Sequence, residues 1–324
     1  MKSVTRTLAR TAVAASLCAS AAAYSQAYPS KPILLIVSSA AGAGIADMTP
    51  RLIQPRLSEA LGQPLIVENR AGATGRIASE FVAHSKPDGY TLLAATTSTH
   101  VTNRFTSKNV PYDSLKDFTP ITLSVEAVEY IVANPSVQAN TIKELIDDAK
   151  RNPGKHTYAD TGIGSVAHMT MELFKLAAGV DILHVPYKTL PQAVTDVMTG
   201  RVELIVISQA TLRPQLGKLK ALAVLTSVRS PAMPEVPTVY DTLPNYWRPS
   251  SWFGFFAPPA LPQPILRRLH DEIVKALNAP DIRPKLIESG ALVVGNTPEE
   301  FAARIKSEIE KTASVVKVLG IEPE

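Results

Sequence analysis

Five segments of the chain carry residue types that hold a small anion without a fixed positive charge. Each sets glycines, alanines, hydroxyls or amides between a strand-like run and a helical pattern. The first is Ser38-Ser39-Ala40-Ala41-Gly42-Ala43-Gly44-Ile45-Ala46-Asp47. Its small side chains let backbone N–H groups come close to a ligand, and the start of the following helix favours negative charge there. The Gly-x-Gly pair lacks the third glycine of a dinucleotide fingerprint, and no Lys-Ser/Thr follows as in a phosphate-binding loop. A tight turn with no ligand is the competing reading. The second segment is Asn69-Arg70-Ala71-Gly72-Ala73-Thr74-Gly75, followed by Arg76. The third, Ala95-Thr96-Thr97-Ser98-Thr99, offers four hydroxyls in a row. The fourth, Asp160-Thr161-Gly162-Ile163-Gly164-Ser165, repeats the logic of the first, with Ser165 as helix N-cap and His168 one turn further on. Ser208-Gln209 is the fifth. For any single Ser or Thr here, an ordinary cap competes with a ligand contact.

Other chemistry finds little support. The six histidines, at 84, 100, 156, 168, 184 and 270, show no metal-ligand spacing such as two histidines four apart around a glutamate, so neither a metal nor a cofactor is expected. There is no Gly-x-Ser-x-Gly elbow. A hydrolase using Asp47 and His168 is the enzymatic alternative, but no oriented nucleophile–base pair accompanies them. His168 reads equally as a ligand contact or as a group bonding to its own loop. Arg76 and Arg104 could meet a second anionic group, although a solvated arginine is commoner. Trp252 and Phe253 read as core before cleft wall.

The elements that would position these loops alternate between strand and helix. Residues 33–38 (ILLIVS) form a continuous apolar run, as in a strand covered on both faces. Residues 47–60 read as a helix stopped by Gly62. Strands follow at 65–68, 91–95, 157–159, 182–185, 203–207, 220–226 and 251–257, and residues 121–133 hold two strand-like runs with no helix between them. Helices are predicted at 75–84, 141–151, 165–178, 191–199, 211–216, 264–277 and 281–289, with a long one from Thr297. Thr141 with Glu144, and Thr297 with Glu300, have capping-box spacing. Such alternation means mostly parallel sheets with helices on both faces. The economical assembly has two lobes: 28–126 plus 249–324, and 127–248. The chain crosses near 126–130 and returns near 245–252, so the two crossings make a hinge and the hinge makes a cleft.

The N-terminus speaks to compartment. Lys2, Arg6 and Arg10 precede an apolar, Ala-rich run over 11–23, and Ser25-Gln26-Ala27 places small residues at the cleavage-determining positions. Residues 1–27 therefore read as a secretory signal peptide, and a periplasmic protein is expected. The run is much shorter than the ~20 residues of a spanning helix. Cys18 lies inside it, leaving the mature chain no cysteine for a disulfide or thiolate site. Subtracting the leader's three basic residues from the formal +4 leaves +1, and basic residues are scattered singly. Neither a nucleic-acid nor a membrane-surface footprint is present. A monomer is expected.

With these segments laid out, the chain resembles the Bug receptors, the substrate-binding proteins of tripartite tricarboxylate transporters. The resemblance runs from Tyr28 to the C-terminus. It rests on Tyr28-Pro29-Ser30-Lys31-Pro32, Gly62-Gln63-Pro64, Val67-Glu68-Asn69-Arg70, Pro87-Asp88-Gly89-Tyr90-Thr91, His184-Val185-Pro186-Tyr187-Lys188, Pro234-Glu235-Val236-Pro237-Thr238 and Ser251-Trp252-Phe253-Gly254, in that order. It implies a two-lobed α/β fold of the type II periplasmic-binding class that closes around its ligand. It also implies a ligand carboxylate held at Gly42 to Asp47 and Thr161 to Ser165, with Thr97 and Ser98 lining the cleft. The implied partners are a small organic acid and a two-component membrane permease; a sensor feeding a signalling partner is the alternative. Three departures stand out. Ser38-Ser39 and Gly42-Ala43-Gly44 replace the family's usual Pro-aromatic-x-x-Gly-Gly. Thr189-Leu190 follows Lys188 where Gly-x is usual, and Arg76 stands where Asn is common. An added arginine there would favour a dicarboxylate or an aromatic acid.

Overall fold

A computed structural model describes residues 28–42, 44–163 and 165–323. The expected signal peptide lies outside the described residues. The chain forms two sheets. The first contains β1 (Ile33–Val37), β2 (Leu65–Asn69), β3 (Thr91–Thr96), β4 (Thr119–Ala127), β10 (Trp252–Ala257) and β11 (Ala291–Val293), in the order β11-β4-β10-β3-β1-β2. The second contains β5 (Glu129–Ala133), β6 (Thr157–Asp160), β7 (Leu183–Pro186), β8 (Leu204–Ser208) and β9 (Lys220–Val224), in the order β7-β6-β8-β5-β9. Most strands of each sheet run one way. Only β10 and β11 in the first, and β5 in the second, run against their neighbours. Two of these three reversed strands, β5 and β10, are the ones that carry the chain from one sheet to the other.

Period-two alternation explains how one strand serves two helix layers. Ile33, Leu35 and Val37 of β1 pack under α1 (Ile45–Leu61) and α8 (Gln263–Leu277), where Ile53, Leu57, Leu269 and Ile273 meet them. Ile36 of the same strand faces α2 (Arg76–Ala83) and α10 (Pro298–Leu319) through Ala78, Val82, Phe301 and Ile305. In the second sheet Ile131 and Ala133 face α4 (Ile142–Arg151) and α5 (Val166–Ala178), while Tyr130 and Val132 face α6 (Leu190–Met198). Shorter helices are α3 (Asn103–Thr106), α7 (Gln209–Leu212) and α9 (Arg283–Glu288). Thr297 and Glu300 close the expected capping box on α10. On α4 the box is half-made: Thr141 accepts from the Glu144 N–H, but Glu144 reaches Asn140 N at 2.7 Å in place of the Thr141 N–H. The short strand β11 was not foreseen. Three residues carry too little pattern to separate them from a loop.

The crossing is one residue long. Val128 joins β4 to β5, donating its N–H to Gly290 O and accepting from Gln209 N, each at 2.8 Å. β4 runs in the direction of β1 and β3, so its end at Ala127 lies at their carboxyl edge. Glu129, the first residue of β5, pairs with Ser208, the last residue of β8. The carboxyl edges of both sheets therefore meet at the crossing, which is where ligands sit in open α/β sheets. Charged groups brace the joint. Arg248 Nη1 lies 2.6 Å from Glu129 Oε2, and Arg304 bridges Glu308 Oε1 at 2.9 Å and Ser250 Oγ at 2.8 Å. Trp252, fully buried as expected of core, donates Nε1–H to Glu308 Oε2 at 2.7 Å.

Candidate functional site

The first loop leaves β1 and enters α1, and Asp47 in the first turn of that helix organises it. Asp47 Oδ2 accepts the Gly42 N–H at 2.8 Å, Arg51 Nε lies 3.0 Å from both carboxylate oxygens, and Asn69 Nδ2 reaches Oδ1 at 2.8 Å. Asn69 also donates to Ser39 O at 3.0 Å, tying the second loop to the first. Burial pushes the Asp47 carboxyl up, but the hydrogen bonds from Arg51, Asn69 and Gly42 outweigh it and hold the group below the usual carboxylate range. Every acceptor direction of this buried carboxylate serves the loop. Asp47 is thus a clamp, with no oxygen left to act as a general base.

The clamp holds a glycine-rich turn open to solvent. Ala41, Gly42 and Gly44 are exposed, and Gly42 has φ 75°. Gly44 is the N-cap of α1, so no side chain satisfies the first N–H groups of that helix. Ser39 Oγ is buried without a hydrogen-bond partner among the described residues. Ser38 is buried and packs against Gly75, where a Cβ would also strike Thr99 Cγ2 at 2.5 Å. Glycine is required there for three loops to meet. Ala43 and Gly164 of the expected set lie outside the described residues.

Several predicted contacts turn out to have structural employment. Thr97 is buried, donates to Ser250 O at 2.6 Å and accepts the Trp252 N–H at 2.9 Å, so it pins the returning strand. Ser98 opens a wide turn, Ser98–Thr102, and stays partly exposed. Beneath it His100 is fully buried and stacked on Phe256 at 3.9 Å, and desolvation lowers its pKa to about 3. Arg76 donates Nε to Ala73 O at 3.1 Å and Nη1 to Asn109 O at 2.9 Å, bonds that commit its head to the wall of its own loops. Arg104 pairs with Asp113 at 3.6 Å. Gln209 is fully buried at the joint. It accepts from Tyr130 OH at 3.0 Å and Ser230 Oγ at 2.7 Å, and donates to Ile287 O at 3.3 Å. Ser208 caps α7, its Oγ accepting the Thr211 N–H.

The fourth loop joins β6 to α5. Thr161 is exposed, Gly162 has φ 112°, and Ser165 Oγ accepts the His168 N–H at 3.1 Å as the predicted cap. Asp160 at the end of β6 receives the Gly162 N–H on Oδ1 at 2.6 Å. His168 and His184 lie close by, their rings 4.7 Å apart. Burial lowers the His168 pKa, against the opposing pull of the Asp160 charge. Asp160, His168 and His184 offer donor atoms all within 4.8 Å of one another, the one such group of three among the described residues. Residue spacing could not show this trio. It arises because the parallel register of β6 and β7 sets His184 beside Tyr158, two residues from Asp160 on the same face. Asp47 and His168, the two residues of the hydrolase alternative, belong to loops of different sheets. A groove of about 550 Å³ between α1 and α8, lined by Arg56, Glu59, Glu272 and Lys275, lies at the far end of α1 from its loop.

Among the described residues no helix is long and apolar enough to cross a membrane. Residues 49–321 match the family described as tripartite tricarboxylate transporter family receptor. The chain is 36% identical over 315 residues to the UPF0065 protein in the tcbD-tcbE intergenic region of Pseudomonas sp. strain P51, covering 96% of this chain and 93% of that one. It superposes on the structure of R. palustris Rpa4515 with adipate at a TM-score of 0.75, with 33% identity, covering 92% of this chain and 100% of that one. It also superposes on MatC (Rpa3494) from Rhodopseudomonas palustris with bound malate at 0.69, with 31% identity over 89% of this chain and 100% of that one. Glycine-rich loops on two facing carboxyl edges, a two-strand joint and relatives of this coverage agree: the chain belongs to the tripartite tricarboxylate transporter receptor family.

Proposed function

We propose that this protein captures an aliphatic dicarboxylate in the cleft between its two sheets and delivers it, in the periplasm, to a two-component membrane permease. The observation that carries the reading is the uncapped start of α1. A clamped loop presents free backbone N–H groups and a helix dipole to the cleft, with Ser39 Oγ still lacking a partner among the described residues. Such donors suit a carboxylate and cost no reorganisation on binding. The Asp160–Ser165 loop contributes hydroxyl and N–H groups from the opposite edge. Because the Gly42, Gly44 and Gly162 N–H groups already serve Asp47, Gly42 O and Asp160, the residues we assign to ligand contact are Ser39, Ala41, Ile45 and Ala46 from the first sheet, and Thr161 from the second. Adipate in one relative and malate in another support two carboxylates as the ligand class.

Closure is expected about Val128 and the return at 248–252, since a ligand that touches both edges stabilises the closed arrangement by its differential affinity. A thermal-shift screen with adipate, malate, succinate, benzoate and acetate tests the reading. At about 100 times its dissociation constant, a bound acid adds about 2.7 kcal/mol to the folded state, so the melting temperature rises. Dicarboxylates should raise it and acetate should not. No shift with any of the acids at millimolar concentration would refute carboxylate capture.

A further inference from the structure

We propose that Asp160, His168 and His184 form a binding site for a divalent first-row transition metal of the Zn²⁺ type, beneath the second loop of the proposed carboxylate site. Three lines of geometry meet there. First, the donor set is two imidazoles and one carboxylate, the combination that suits Zn²⁺ and its neighbours and leaves coordination positions open for water. Their donor atoms lie within 4.8 Å of one another. Donors bound tetrahedrally at about 2.0–2.2 Å to one ion stand about 3.3–3.6 Å apart, so side-chain rotations that draw the wider pairs in by about 1 Å close the set.

Second, the carboxylate is half satisfied. Asp160 is buried, and its Oδ1 accepts the Gly162 N–H at 2.6 Å. Its Oδ2 stands 2.9 Å from His184 Nε2, but the two atoms are not aligned as a hydrogen bond, and both are buried without another partner among the described residues. A buried carboxylate oxygen aimed at an imidazole nitrogen that does not bond it properly is a costly arrangement for stability alone. A cation between them would satisfy both atoms.

Third, the outer shell is built. Tyr158 stacks on the His184 ring at 5.0 Å with an interplanar angle of 26°, and its hydroxyl donates to Glu172 Oε1 at 2.7 Å. Lys175 Nζ neutralises that glutamate at 2.8 Å, so Asp160 supplies the trio's negative charge. Ser165 fixes the backbone of His168 by capping α5. These contacts limit the positions open to the His184 ring and the His168 backbone.

The test is titration of the full chain, stripped with a chelator, by ZnCl₂ in calorimetry and by CoCl₂ in absorption. One equivalent should bind with a dissociation constant of about 10 µM or tighter, and Co²⁺ should give the intense visible bands of a low-coordinate site. His168→Gln, His184→Gln and Asp160→Asn should each weaken binding at least about 10-fold, whereas His270→Gln should leave it unchanged. If a variant fails to fold, the Co²⁺ spectrum of the unaltered protein still decides. Binding no tighter than about 1 mM, a weak octahedral Co²⁺ spectrum, or affinity insensitive to all three substitutions would overturn the proposal. Carboxylate capture would stand untouched by that result, since its readout is the thermal shift with no metal added.

Discussion

The two glycine-rich loops at the joint share one plan and differ in what their aspartate does. Each leaves a strand, turns through glycines at positive φ and enters a helix. In the first, Asp47 sits one turn into α1 and spends both oxygens on Gly42, Arg51 and Asn69. In the second, Asp160 sits at the strand end, spends one oxygen on Gly162 and turns the other toward His184. The first helix begins with a bare glycine cap, while the second begins with Ser165 already bonded to His168. A carboxylate fully engaged by its own loop makes a rigid cradle for an external anion. A carboxylate half engaged keeps the capacity to hold a cation. Position relative to the helix start, a shift of a few residues, separates the two roles.

Removing the clamp should have the largest consequence. Asp47→Ala strands a half-buried amide and an arginine, but Arg51 is partly solvated, so the loss should be about 2 kcal/mol, short of a fully buried pair. Urea unfolding reads the stability, and the thermal-shift screen should lose its response to dicarboxylates. An unchanged response would show that the first loop does not need its clamp to bind.

Acid should separate the contributions beneath the first-sheet loops. His100 has its folded pKa lowered to about 3, whereas the unfolded value is about 6.5. The unfolded chain therefore takes up a proton that the folded chain refuses, and stability falls as pH drops from about 6.5 toward 3, by about 1.4 kcal/mol per unit. His100→Phe keeps the stack on Phe256 and should flatten this slope, recovering roughly 2 kcal/mol of relative stability at about pH 5. Asp47 acts in a lower window. Its folded pKa is depressed, so its contribution is complete above the unfolded value of about 3.9 and is lost as pH falls through the folded one. Urea midpoints of the unaltered chain and the variant, measured across the acid range, check both windows.

A smaller contrast lies in the turns. Gly162 has φ 112° and Gly42 has φ 75°. Among the described residues no atom crowds a Cβ at either position, so substitution costs backbone strain. Gly162→Ala should cost about 2 kcal/mol and Gly42→Ala about 1 kcal/mol, because the second lies nearer the left-handed helical region. Equal losses in urea unfolding would contradict that ordering. Smallest of all, Arg76→Ala should change dicarboxylate affinity less than about 3-fold by calorimetry, since the guanidinium is engaged with Ala73 O and Asn109 O. A loss above about 10-fold would restore Arg76 to the cleft.

Much of the fold was legible because its signals are local. The apolar run of β1, Gly62 as the stop of α1, and Ser165 and Thr297 as caps all appear where the pattern puts them. Site residues were legible as loops more than as individuals. Thr97 and Gln209 have the right chemistry for a ligand, yet both are buried in bonds that hold the joint together. Thr97's partner Ser250 lies 153 residues away and Gln209's partners Ser230 and Tyr130 lie 21 and 79 residues away, and no local pattern reports such pairings. Asn69, 22 residues from Asp47, was missed as its partner for the same reason, while Arg51 lies within local reach of it. The i, i+4 spacing of Asp47 and Arg51 was the one signal available.

What the sequence determined by itself was the alternation of strand and helix, the placing of glycine-rich turns at strand ends and the family resemblance, all properties of neighbouring residues or of ordered motifs. The tertiary structure alone decided which carboxylate is spent and which is spare. Asp47 is closed by Asn69, contributed by a separate strand, and Asp160 is met by His184 through the register of two parallel strands. Such meetings depend on how strands slide past one another and which edge each presents, and the core that fixes the register is built from residues scattered along the whole chain.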